Sequence, residues 1–210
     1  MPLKIPPPAV RLAASAAVIL TVGCSSNTPS SPNAPSPNTL HAEVTDPIGD
    51  GVASSGVATA PDLTHGIVDV AAGNVTFTIQ FAPGSLDRQT TLLGFELDTD
   101  QNPSTGIPAG AVGIDYHIGF RASASSAIVE KATPSTCVPS NGASCYTSIG
   151  TAPIGVGTDS LTVTVSLAML GGASGRMNYQ VFSYAAPPTS APTSVADVMP
   201  DLNLPPAHVP

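Results

Sequence analysis

The sequence predicts an all-β chain folded as a two-sheet antiparallel β-sandwich, with a disordered N-terminal tether and a loose C-terminal tail. Three observations predict it. Residues 75–81 and 161–167 alternate strictly between apolar and polar side chains, which assigns one set to a buried face. Gly, Pro and Asn punctuate the chain between short segments rich in Thr, Val and Ile. The 210 residues are 42% hydrophobic but only 10% charged and 4% aromatic, with 23 Pro and 19 Gly. Such a chain can fill a core, which rules out wholesale disorder, and it lacks the Leu-, Lys- and Glu-rich stretches of a helical bundle.

The first 23 residues read as an address. Lys4 and Arg11 precede an uncharged run, 12–22, that ends at Gly23-Cys24. A basic start, a short apolar segment and a small residue before the cut make a secretory signal. The run falls short of the roughly 20 residues that span a bilayer. Thr21-Val22-Gly23-Cys24 resembles the bacterial lipoprotein signal. That resemblance implies cleavage before Cys24 and a diacylglycerol thioether on it. Acyl chains such as palmitate would hold the protein at a bacterial membrane, within the cell envelope and outside the cytoplasm. Residues 25–38 are almost wholly Ser, Pro, Asn, Thr and Ala, so 24–41 is expected to be an extended linker. Loss of Lys4 and Arg11 takes the net charge from −8 to −10. No basic stripe exists to hold a phosphate backbone, which excludes a nucleic-acid partner.

Strands of the domain, residues 42–186, are expected at 66–71, 75–81, 92–98, 113–121, 126–131, 145–150, 161–167 and 177–184, in an immunoglobulin-like layering. A short helical turn is expected at 168–172. Cys137 and Cys145 bracket an Asn-Gly turn signal and are expected to form a disulfide outside the cytoplasm. The segment 187–210 is Pro-rich and reads as a loose tail, with 197–201 the exception that docks on the domain.

One segment carries chemistry: Asp98-Thr99-Asp100-Gln101-Asn102-Pro103-Ser104-Thr105-Gly106, directly after a strand. Oxygens on Asp98, Asp100 and Asn102, spaced by two residues, can turn inward around Ca²⁺, which takes six to eight such ligands. The carbonyl of Ser104 and the carboxylate of Asp115 are the further candidates. Pro103 and Ala109 stand where an EF-hand needs Gly and Glu, so the loop is not an EF-hand. The competing reading is a set of Asx-turns with no metal. Asp46 and Asp50 form another acidic turn, read as a solvated loop.

The order Asp46-Pro47-Ile48-Gly49-Asp50, Pro61-Asp62-Leu63-Thr64, the Asp98 loop, Gly113-Ile114-Asp115-Tyr116 and Leu167-Ala168-Met169-Leu170-Gly171-Gly172 resembles secreted bacterial β-sandwich domains related to DOMON and family-nine carbohydrate-binding modules. The resemblance covers 42–186 and implies a jelly-roll-like sandwich, a calcium site and, in some relatives, sugar or haem binding. The chain has no Trp for a sugar platform, which leaves Tyr116, Tyr146, Tyr179 and Tyr184 to stack. No haem, nucleotide or zinc site is expected. No Gly-x-Ser-x-Gly elbow is present, although Glu96 and Asp98 share one strand face. The expected function is therefore a non-catalytic binding or structural module with calcium, its partner an envelope protein. A glycan-binding module is the first alternative and an envelope hydrolase the second.

Overall fold

A computed structural model describes residues 39–53, 57, 59–137, 145–189 and 194–210. The signal segment, Cys24 and most of the tether lie outside the described residues. The described chain is all-β. Its strands are β1 (Leu40–Thr45), β2 (Leu63–Ala71), β3 (Asn74–Phe81), β4 (Thr91–Asp98), β5 (Ile107–Ala109), β6 (Val112–Ile114) and β7 (Tyr116–Arg121), then β8 (Ser126–Ala132), β9 (Tyr146–Val156), β10 (Ser160–Ser166), β11 (Met177–Ala185), β12 (Val195–Met199) and β13 (Ala207–Val209). The helical content among these residues is one 3₁₀ turn, Pro134–Thr136.

Eleven strands form one antiparallel sheet in the order β1-β2-β3-β10-β9-β8-β7-β4-β11-β12, with β13 beside β11. β5 and β6 pair separately. The sheet bends until it nearly closes into a barrel, rather than separating into two unconnected layers. The long strand β9 carries the bend: Tyr146–Pro153 pairs with β8, and Ile154–Val156 pairs with β10. Within the β8–β9 ladder Val129 faces Gly150 and Glu130 faces Ser148, so Ile149 is an extra residue on β9, a bulge of the kind that bends a strand.

The alternation seen in the sequence sets the core. Val75, Phe77, Ile79 and Phe81 point inward from β3, and Leu161, Val163 and Val165 from β10. Phe77 meets Phe95 of β4 at a ring-centroid distance of 5.0 Å and Tyr179 of β11 at 5.8 Å. The β2–β3 hairpin turns on Ala72-Gly73, both at positive φ, the two-residue turn whose twist suits a hairpin. Cys137 and Cys145 form a disulfide, with Cα atoms 4.1 Å apart.

All eight expected strands are present. The structure adds β1, β5, β12 and β13, and it divides the expected strand 113–121 at Asp115. Domain pairing begins at Leu40, two residues before the expected boundary. At the expected helical turn, the Met169 and Leu170 amides both donate to the Ser166 carbonyl and the Gly172 amide to that of Leu167, a single hydrogen-bonded turn that does not extend into a helix.

Docking at 197–201 is as expected for Asp197–Met199, and the loose-tail expectation is corrected for the pairing residues on either side, Val195 and Ala207–Val209. β12 and β13 both pair with β11, and Met199 and Val209 are fully buried in the main core. The prolines that suggested a loose tail lie outside both strands, while Val195-Ala196-Asp197-Val198-Met199 supplies the pairing and the apolar surface. Removal of residues 190–210 should therefore abolish cooperative unfolding. Met199→Ala alone should cost about 2–5 kcal/mol in denaturant melts. A truncated chain melting like the full one would restore the loose tail.

Candidate functional site

Asp98 ends β4 and is fully buried, while Asp100 is exposed in the loop and Asp115 sits in the break between β6 and β7. One oxygen from each lies within 4.8 Å of the other two. Three of the five expected ligand residues are thus brought together. The loop can lie flat on β6 because Gly106 and Gly113 have no side chain: a Cβ at Gly106 would strike the Ile114 backbone, and one at Gly113 the carbonyls of Thr105 and Asn102. Gly106 also takes φ +67°, which a larger residue adopts only at a cost.

Protein donors already serve these oxygens. The Asn102 amide donates to Asp98 Oδ1 and to Asp100 Oδ1, both at 2.9 Å. Asn178 Nδ2 donates to Asp98 Oδ2 at 3.2 Å, and the Thr105 hydroxyl lies against both oxygens of Asp100. Thr99 donates its amide and hydroxyl to Asp115 Oδ2, each at 2.9 Å. Asn102 Oδ1 is engaged by the Ser104 amide at 3.1 Å, so Asn102 and Ser104 build an Asx-turn here. Burial pushes the Asp98 carboxyl up, opposed by the hydrogen bonds from Asn178, Asn102 and Gly113. Acidic residues capable of holding a metal ion do converge at this loop.

A second arrangement lies on the outer face of the sheet. Register aligns Gln180, Glu96, His117 and Glu130 across β11, β4, β7 and β8. His117 Nδ1 is 3.0 Å from Glu130 Oε2, and its ring lies 5.3 Å from that of Tyr146. The imidazole lies across Gly94 and Gly119, where an added Cβ would approach it to 3.2 and 2.9 Å. A shallow groove of about 460 Å³ opens here, lined by Gly94, His117, Ile128, Glu130 and Tyr184. Glu96 does not line that groove. Its Oε2 is sealed from solvent without a hydrogen-bond partner, and burial raises its pKa to about 7. Burial, then Glu96 and Glu130, push the Tyr146 hydroxyl up to about 12.

Sequence reasoning placed His117 on a strand but had no means of seeing Glu130 and Glu96 as its neighbours, because register alone joins them. The acidic turn read as a solvated loop is also corrected: Asp46 is only 8% exposed, whereas Asp50 is exposed. No protein-family model matches the chain, and no curated protein matches it significantly.

Glu96 generates a pH prediction. Its pKa is higher in the folded chain than in the unfolded one, so the folded state binds the extra proton between these values. Stability from this group is complete below about pH 4.5 and is lost as pH rises through about 7. Glu96→Gln should leave denaturant melts at pH 4.5 nearly unchanged and raise stability at pH 8 by up to about 3 kcal/mol. Equal stability of variant and parent at pH 8 would show that the carboxylate is not desolvated.

Proposed function

We propose that the chain is a lipid-anchored, non-catalytic binding or structural module of the cell envelope. The observation that carries the non-catalytic reading is the disposition of acids on the outer face. General acid–base hydrolysis of a glycoside needs two carboxyl groups facing one substrate. Glu130 lines the groove but is held by His117, and Glu96 lies outside that groove with its Oε2 turned from solvent, so the two carboxyl groups do not flank one shared cleft. The anchor rests on the sequence: the basic start, the apolar run and Cys24 after Gly23, with the tether reaching to β1. On this reading residues 1–23 are the signal.

The finer fold belongs to the same proposal. The halves of the bent sheet serve as the two layers of a flattened, jelly-roll-like sandwich, as the resemblance to DOMON and family-nine carbohydrate-binding modules implies. Packing of Phe77 against Phe95 and Tyr179 across the interior supports that reading. Calcium at the Asp98 loop is supported by the convergence of Asp98, Asp100 and Asp115.

A specific observation favours glycan binding as the second reading. The Tyr184 ring lines the groove beside the imidazole of His117, which is seated over Gly94 and Gly119, and this sets an aromatic face next to polar side chains as a sugar site requires.

Cys24→Ala should move the protein from the membrane fraction to the soluble fraction of its cells on immunoblotting; an unchanged distribution would reject the anchor. Affinity electrophoresis through gels containing soluble envelope polysaccharides should retard the protein, and Tyr184→Ala should remove most of that retardation. Equal mobility with and without every polysaccharide would sink the glycan reading.

A further inference from the structure

The strongest unexplained feature lies where the two edges of the sheet approach each other. The turn after β1 reaches β12 through the Val52 amide, which donates to the Ala196 carbonyl at 2.7 Å. The Leu63 amide, at the start of β2, donates to Asp197 Oδ2 on β12 at 2.6 Å. Around this seam stand Asp46, Asp50, Asp62, Asp197 and Asp201, drawn from three separate stretches of the chain.

Asp46 is more than nine-tenths buried, and neither of its carboxylate oxygens has a hydrogen-bond partner. Oxygens of Asp46, Asp50 and Asp197 lie within 4.8 Å of one another. Asp62 is equally buried; its Oδ2 accepts the Gly49 amide at 2.9 Å, but its Oδ1 has no partner. A buried, unpartnered carboxylate is costly unless a cation or a proton neutralises it. The charges acting most strongly on Asp46 are all negative: Asp197, Asp50, Asp201 and Asp62.

We propose that Asp46, Asp50 and Asp197, with Asp62 and Asp201 beside them, bind a calcium ion that fastens the seam between β1–β2 and β12. The donors are all oxygen, which selects a hard cation over zinc or copper. Calcium–oxygen distances of about 2.3–2.6 Å place opposite ligands about 5 Å apart, and these oxygens, all within 4.8 Å of one another, fall inside that span. A cleft of about 430 Å³ lined by Asp50, Asp197 and Asp201 opens beside the cluster and gives the ion and its waters a route in. Burial and the neighbouring acids raise the Asp46 pKa to about 7, and burial raises that of Asp197 to about 6; both shifts mark a site that lacks positive charge. This site is independent of the Asp98 loop.

The test keeps the two loops apart. The full chain is purified, depleted of metal and titrated with CaCl₂ by calorimetry, in a background of Asp100→Asn, an exposed position that silences the Asp98 loop. That protein should bind one calcium ion and melt at least about 5 °C higher in CaCl₂ than in chelator. Adding Asp46→Asn should remove the binding event and the shift, while in chelator the melting temperature should not fall, since a buried charge has gone. Asp50→Asn, an exposed change that leaves the core intact, should weaken binding by about tenfold or more. No calcium binding by the Asp100→Asn protein, or binding unaltered by both further changes, would overturn the site.

Discussion

Everything in this molecule follows from one constraint: a single antiparallel sheet must bend far enough to enclose its own apolar face. Alternation on each strand makes this possible, because every inward side chain comes from a position two residues from the next. Phe77 then reaches Phe95 and Tyr179 from the opposite wall. The bend concentrates at β9, which pairs with β8 along most of its length and with β10 at its end. Closure is not completed by a regular ladder. Here the chain uses isolated bonds, such as Leu63 at the start of β2 to Asp197 of β12, and Ser183 of β11 to the carbonyl of Pro61 just before β2. A seam made of loop backbone and side chains is where polar groups enter a barrel wall, and here the polar groups are carboxylates.

The strands legible in the sequence were those with a strongly apolar inner face. Val75-Thr76-Phe77-Thr78-Ile79-Gln80-Phe81 has no competing interpretation as a helix, since its apolar residues recur at every second position. β1 was not legible because its exposed face carries His41 and Glu43, and its half-buried face is thin. β12 and β13 were masked by prolines in the connections around them, a compositional signal that says nothing about the five residues between. Asp115 broke an expected strand because its amide and carbonyl bind Leu97 and Ala132, on two different strands.

The sites divide in the same way. The Asp98 loop was legible because most of its acids are local, at spacing two, with Gly106 and Gly113 supplying the close approach. The seam cluster was not, because Asp46 and Asp197 are 151 residues apart and only closure of the sheet joins them. Spacing also cannot report whether a lone pair is satisfied. In the Asp98 loop, Asn102, Asn178, Thr99 and Thr105 provide donors, so each carboxylate there has hydrogen-bond partners of its own. At the seam, Asp46 has none. The more conspicuous motif is thus the better neutralised one, and the turn that reads as ordinary solvated loop holds the greater electrostatic demand.

Composition explains why that demand cannot be met from within. Fourteen acids face six Lys and Arg residues, and two of those six, Lys4 and Arg11, lie in the expected signal. Eight of the fourteen stand in the two carboxylate clusters. Among the four remaining cations, Arg88 and Arg121 donate to backbone carbonyls, which removes them from charge pairing at either cluster. His41, His65 and His117 meet Glu43, Asp69 and Glu130 on the outer faces, acids that belong to neither cluster. A chain this poor in fixed positive charge can bury carboxylates in three ways: surround them with donors, as at Asp98; protonate them, as at Glu96; or import the cation. Asp46 lacks the donors, and four neighbouring carboxylates oppose every ionised state of the group, so the third route is the one that neutralises the whole cluster at once.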